Sequence, residues 1–378
     1  MTPVSKVALP QSALPFWVSM LLIPLAWIGA VVGGWTILLL PLATWYLFSI
    51  LDVLIGRNSE NFDPQTDESE LGLYRLVTIV WVPAQFITLF GVLYYITATG
   101  DMSGFAQWLM MAAIGILTGT IGINYSHELM HQKPRAERFM GDVLLAMVLY
   151  SHFRSEHLLV HHRYVGTPRD PVTARYNEGF YRFFRRVLID CIVSSFKAEQ
   201  AMLARKGKAW TSFENPFWRY WLLELAFIAL AFAIAGWWGI FLFLTQAFVA
   251  VFQLELVNYV EHYGLTRKHL GDGKYEHVLP RHSWNADHRA SNWLLINLQR
   301  HSDHHYKPDR RYPLLQTYTQ SEAPQLPHGY YAMTFIAAFP ILWRRLMNPK
   351  VKQWRAMYYP EIVDWGPYKR GETEVRGE

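Results

Sequence analysis

Apolar and polar positions alternate along this chain in long blocks rather than in short periods. Six blocks are apolar on every face: residues 13–32, 35–54, 76–98, 108–125, 217–235 and 237–257. Runs of about twenty such residues predict helices that span a bilayer. Gly33-Gly34 marks a tight turn between the first two, and Gly236 and Gly239 part the last two. The intervening blocks are polar. Residues 55–72 are acidic, 132–215 are basic and helix-rich, and 264–330 are polar again. Residues 330–343 are apolar but too short to cross, which predicts a helix lying at the membrane interface. Residues 366–378 read as a frayed charged tail.

The expected fold is all-α. A six-transmembrane-helix bundle carries a helical cytoplasmic cap (126–216 and 258–365), and the whole of 1–378 forms one domain. The links after the first, third and fifth blocks contain no Lys or Arg, and the remaining links and the termini carry nearly all of them. The basic side is the cytoplasmic one, so the chain is expected to be a multi-pass protein of a bacterial inner membrane. Residues 1–12 lack the basic start and cleavage site of a signal peptide.

Composition agrees with this division. Of 378 residues, 52% are hydrophobic, 16% aromatic and only 17% charged, too apolar for an average soluble domain. The single cysteine, Cys191, rules out an internal disulfide or a cysteine-ligated iron–sulfur centre. Any electrons that the chemistry needs come from another protein. No Gly-rich nucleotide fingerprint follows a strand. A net charge of +5 in so apolar a chain points to headgroups or an acidic partner, not to nucleic acid.

The chemistry lies in the histidines. Nine of the 15 fall in four clusters: His127 and His131; His157, His161 and His162; His262; and His301, His304 and His305. Spacings of three and four place imidazoles on one helix face, where a metal can take them up. HExxH alone is a short pattern, and a lone histidine such as His262 is more often structural. All four clusters, however, fall on the same predicted side of one membrane. Nine imidazoles exceed what one zinc ion accepts and suit two metals of higher coordination. Imidazole alone does not choose among Fe, Zn, Cu and Ni. Glu128, Glu156, Glu261 and Asp303 recur beside these histidines as candidates to orient the rings, unless one of them ligates directly. His282 is a further candidate of the same kind. His152, His269, His277, His288 and His328 lack the paired spacing.

Four motifs carry a resemblance: Asn124-Tyr125-Ser126-His127-Glu128-Leu129-Met130-His131, Glu156-His157-x3-His161-His162, Asn258-Tyr259-Val260-Glu261-His262-Tyr263-Gly264-Leu265 and Leu298-Gln299-Arg300-His301-Ser302-Asp303-His304-His305. From about residue 35 to 355 the chain resembles the integral-membrane alkane monooxygenases, within the wider group of membrane desaturases and hydroxylases. The last two motifs separate them from that group. The chain departs from the family pattern at Gln132, Val160 and Arg169, and none of these removes a ligand. The resemblance implies a non-heme diiron centre held by the nine clustered histidines, O2 as co-substrate, and terminal hydroxylation of medium-chain n-alkanes. Electrons would arrive from NADH through rubredoxin reductase and rubredoxin. Two rivals keep the metals and change the substrate, to an aryl methyl group or a fatty acyl chain. A zinc protease built on His127, Glu128 and His131 would leave six clustered histidines unexplained. A metal transporter would place its ligands near the bilayer midplane.

An alkane has no polar handle, so selection must come from the shape of a narrow apolar channel, which could open laterally to the bilayer. Trp45 and Trp81 are the candidates for its floor. Lys133, Arg135, Arg163, Arg169, Arg300, Arg310 and Arg311 are the candidates for docking an acidic electron donor, although the positive-inside rule explains the same charges.

Overall fold

The computed structural model describes residues 12–370. Among them, five helical segments are long and apolar enough to cross a membrane: α1 (Leu14–Val32), α2 (Gly34–Ile55), α3 (Glu68–Ala98), α4 (Gly104–Met130) and, later in the chain, a 46-residue segment, Phe217–His262. That last segment covers both of the final apolar blocks. It is broken inside, at Ala235 (φ −145°) and Gly236 (φ +59°), where the sequence placed a turn. Trp238 fastens the break by donating Nε1–H to Gln107 Oε1 at 2.6 Å.

Several boundaries differ from the hydropathy blocks. α3 begins eight residues early, at Glu68, because Asp67 caps its first turn by accepting from Ser69 N at 2.8 Å. α4 runs on past residue 125 to Met130, which carries the first histidine pair on a continuous helix.

Between α4 and the long apolar segment lie α5 (Arg135–Ala146), α6 (residues 153–164) and α7 (Phe180–Arg205). The Phe217–His262 segment is α8. Beyond it come a short antiparallel hairpin of β1 (His269–Gly271) and β2 (Lys274–Tyr275), which hydropathy gave no reason to expect, then α9 (Arg289–Leu294) and α10 (His301–Tyr306). The apolar run at 330–343 is not one interfacial helix. It divides into α11 (Tyr330–Ala337) and the start of α12 (Pro340–Tyr358), because Phe339 leaves the helical region (φ −112°, ψ 90°) ahead of Pro340. The expected frayed tail is helical at its start, α13 (Gly366–Arg370). Its remainder lies outside the described residues.

α4 is the most enclosed of the long apolar helices, and it packs along the second half of α8. Small residues permit this. A Cβ on Gly115 would stand 2.6 Å from Gln246 O, and one on Gly119 would stand 2.8 Å from Ala250 Cα. Close backbone approach at these two points fixes the spacing of two helices that both end in histidines.

Candidate metal centre

Four elements deliver the imidazoles, and each has a local reason for its shape. His127 and His131 stand one turn apart at the end of α4. His157, His161 and His162 lie where α6 winds as a π turn (His157–His161), with His162 N–H bonding to His157 O. The i→i+5 bond brings residues five apart onto one face, so His157 and His162 aim together while His161 turns aside. His262 ends α8. There the chain turns through Gly264 at φ +72°, where a Cβ would stand 2.9 Å from Val351 Cγ2. Glycine is required on both counts. In α10, His301 and His305 point one way and His304 the other.

The result is two groups. Ligand nitrogens of His127, His131, His157 and His304 lie within 4.8 Å of one another, and so do those of His161, His262, His301 and His305. His162 joins the first group: its Nε2 is 2.9 Å from His157 Nε2 and 3.1 Å from His304 Nε2. In the second group, His301 Nε2 is 3.1 Å from His262 Nε2 and 3.0 Å from His305 Nε2. The groups adjoin, the His162 and His305 ring centroids being 4.7 Å apart. These separations suit nitrogens sharing an ion at about 2.0–2.2 Å each. Buried His131 Nε2 and His161 Nε2 have no protein partner, so the residues fit a metal. Burial, and then neighbouring imidazoles, hold His157, His162, His304 and His305 well below the ordinary histidine pKa. Rings kept neutral are rings ready to ligate. The second group is buried throughout, whereas His127, His131 and His162 of the first keep some exposure.

The carboxylates divide by role. Asp170 Oδ2 takes a bond from His161 Nδ1 at 2.9 Å and is itself held by Thr173 Oγ1 at 2.6 Å. Glu261 Oε1 lies 3.3 Å from His301 Nδ1. Asp170 was not among the sequence candidates. Its signal was an acidic residue locked before Pro171 in the loop that follows the second cluster. Glu128 turns away from the rings and accepts from Gln132 Nε2 at 2.9 Å. Asp303 accepts from Arg310, from Gln316 N at 3.0 Å and from Tyr318 Oη at 2.7 Å. His282 faces Glu276 (3.2 Å) and Tyr359 Oη (2.7 Å). These three therefore brace the cap and make no hydrogen bond to a clustered imidazole among the described residues. Glu156 is wholly buried with neither oxygen bonded. Burial, then the Asp170 and Glu255 carboxyls, push its pKa well above the carboxylate range.

The polar letters of the last motif are equally committed. Gln299 donates to Asn292 Oδ1 (3.1 Å), and Arg300 donates to the carbonyls of Leu315, Asn58 and Glu60. Ser302 receives Asn285 Nδ2 and donates to Pro280 O, both at 2.5 Å. These bonds tie α10 and the residues just before it to α9, to the segments at 58–60 and 280–285 and to Leu315, and together they fix the direction in which its histidines point.

An apolar cavity of about 450 Å³ opens from this centre. His127, His157, Glu261 and His301 line its head, and Trp45, Gly119, Thr120 and Gln253 line its far part. Trp45, Tyr46 and Phe335 line it and also reach the outer surface. Trp81 is no part of the lining. It is fully buried, bonded to Gln85 (2.8 Å) and packed on Tyr125. The π turn at Thr118–Ile123 supplies the α4 wall, and a second, at Leu42–Leu47, carries Trp45.

The expected docking surface changes. Arg300 and Arg311 are buried. Arg311 is spent on Glu68 (2.8 Å) and Glu137 (2.9 Å), and Arg310 on Asp303. Lys133, Arg135 and Arg163 remain exposed beside the more open histidine group, as does Lys307.

The chain matches the fatty acid desaturase family over residues 103–337. It is 38% identical to alkane 1-monooxygenase 2 of Pseudomonas aeruginosa, over 84% of this chain and 85% of the relative. It is 37% identical to alkane 1-monooxygenase 2 of Alcanivorax borkumensis, over 85% of each chain. It is also similar, at 26% identity over 88% of this chain and 87% of the relative, to the hydroxylase component of a xylene/toluene monooxygenase from Pseudomonas putida.

Proposed function

The chain belongs to the alkane 1-monooxygenases of the fatty acid desaturase family, and we propose that it hydroxylates the terminal methyl group of medium-chain n-alkanes. The reaction takes an alkane, O2, two electrons and two protons to the 1-alkanol and water. The observation that carries the reading is the convergence of nine imidazoles, in two groups, at the head of an apolar cavity.

Two irons held by His127, His131, His157, His162 and His304, and by His161, His262, His301 and His305, would supply the oxidising chemistry. The protein's own residues do the rest. Asp170 fixes the tautomer and direction of His161, and Glu261 sets its carboxylate beside His301. The apolar wall excludes water and leaves shape as the only means of selection. Thr120 and Gln253 lie seven and nine residues before the last histidine of their helices that lines or adjoins the head, His127 and His262. At 1.5 Å per residue, that is about 10–13 Å of depth for an alkyl chain. Alkanes dissolve in the bilayer, and the exposed rim at Tyr46 and Phe335 suits lateral admission from it.

The chain crosses an inner membrane six times in this reading, α8 making two passes about its break, with the cap and the histidines on the cytoplasmic side. Rubredoxin, reduced by an NADH-dependent reductase, brings electrons to the more exposed group. Cells expressing the chain with rubredoxin and its reductase, fed n-octane or n-hexadecane, should yield the 1-alkanol. Two irons per chain with no alkanol from either feed would move the assignment to aryl-methyl or fatty acyl substrates, the former being the second reading that the xylene/toluene relative supports.

A further inference from the structure

Gln253 lies within the apolar second half of α8, at the part of the cavity far from the histidines. A carboxamide offers two donors and two acceptor positions, and here all four are taken. Nε2 donates to Gly115 O at 3.1 Å and to Val249 O at 3.4 Å. Oε1 accepts from Thr120 Oγ1 at 3.1 Å and from Trp45 Nε1 at 3.4 Å. One side chain therefore joins α2, α4 and α8 at a single point. The two partners that approach Oε1 both come from π turns, Leu42–Leu47 and Thr118–Ile123. Such turns are uncommon and gather at functional positions.

A contrast between two tryptophans of the bundle, Trp81 and Trp45, shows why the joint matters. Trp81 is held by burial on every side. Trp45 is 38% exposed on the outer surface, so packing alone does not fix its indole. The only hydrogen bond of the indole N–H among the described residues runs to Gln253. In hydrocarbon, where water offers no alternative partner, that bond is the restraint.

We propose that Gln253 is a positioning residue that determines chain-length specificity: it latches the Trp45 indole across the far end of the cavity. Because the carboxamide is saturated, it has nothing left to bind a polar chain end, and discrimination there is by length alone. The inference rests on the alkane reading and deepens it.

The test is the ratio of 1-hexadecanol to 1-octanol formed from an equimolar feed by membranes containing the full chain, supplied with rubredoxin, its reductase and NADH, with iron content measured alongside. Gln253→Met keeps the length and removes every bond. It should raise the ratio by about fivefold, the size of effect that one hydrogen bond carries, with iron per chain unchanged. Thr120→Val, nearly the same shape, should shift the ratio the same way by less, and it serves if Gln253→Met fails to accumulate. In a Trp45→Ala background, Gln253→Met should add no further shift. An unchanged ratio, an equal fall for both chain lengths, or additive shifts in the double variant would each overturn the latch. Absence of 1-alkanol from the unaltered chain is a separate result, and it overturns the alkane reading instead.

Discussion

The two histidine groups use one kind of ligand and are built in opposite ways. His161, His262, His301 and His305 are buried; the His161 ring is held from behind by a hydrogen bond to Asp170, and Glu261 Oε1 lies 3.3 Å from His301 Nδ1. In the other group His127, His131 and His162 keep some exposure while His157 and His304 are buried, and no carboxylate bonds to their rings among the described residues; His157 instead packs on Phe153 at 5.1 Å. The buried group has a carboxylate hydrogen bond behind His161, and the open one relies on the framework around it. A site that must be rigid for its chemistry and reachable for its electrons can be divided in this way, with stiffness on one side and access on the other.

The largest expected effect comes from removing one ligand from each side. His304→Ala and His305→Ala should each abolish alkanol formation and lower iron per chain while the protein stays in the membrane. Full iron and activity in either variant would remove that histidine from its group.

Next is the framework. Arg311 clasps Glu137 on α5 and Glu68 on α3, close behind the open group, with both Arg311 and Glu137 nearly fully buried. Glu137 keeps Arg75 as a partner at 2.5 Å, so removing Arg311 costs less than the roughly 3–5 kcal/mol of a fully stranded buried charge but still loosens the clasp. Arg311→Gln should therefore lower the thermal midpoint and cost iron at the open group first. A variant with unaltered melting and full iron would show that the open group does not depend on this clasp.

Asp170→Asn sharpens the contrast from the other side. Losing a carboxylate behind a ligating histidine weakens metal binding by about 10–100-fold. Chelator titration should show one of the two irons leaving earlier while the other keeps its affinity. Two irons lost in parallel would mean that the groups are coupled more tightly than their separate supports imply.

The smallest effect concerns access. Neutralising the exposed Lys133 and Arg163 together should raise the KM for an acidic electron donor a few-fold at low salt, with little effect at high salt, where exposed charges are screened. An unchanged KM at low salt would place the donor elsewhere.

Much of this was legible in the chain because it is local. Hydropathy located the long apolar helices, since a span must be apolar on every face. Histidine spacing found all nine imidazoles that converge, because each cluster fits on one or two turns. The carboxylates were harder. Glu128, Glu156, Glu261 and Asp303 look alike beside their histidines, yet only Glu261 approaches a ring. Which way a side chain points depends on what the far loops offer it: Arg310 and Tyr318 for Asp303, Gln132 for Glu128. Arg300, Arg310 and Arg311 misled for the same reason. Charge is visible in sequence, but the Leu315 carbonyl, Asp303 and Glu137 that consume it are visible only in space.

The sequence by itself determined that the chain is a membrane-embedded helical protein with nine clustered histidines, because composition and short-range periodicity are properties of neighbours. Only the tertiary structure decided how those histidines divide. A π turn sends His157 and His162 one way and His161 the other, and α10 parts His304 from His301 and His305. The same packing drew Asp170 behind His161, turned Trp81 into the core, and set Trp45 beside the cavity. Those choices rest on contacts between residues far apart in sequence, and such contacts exist only once the helices have met.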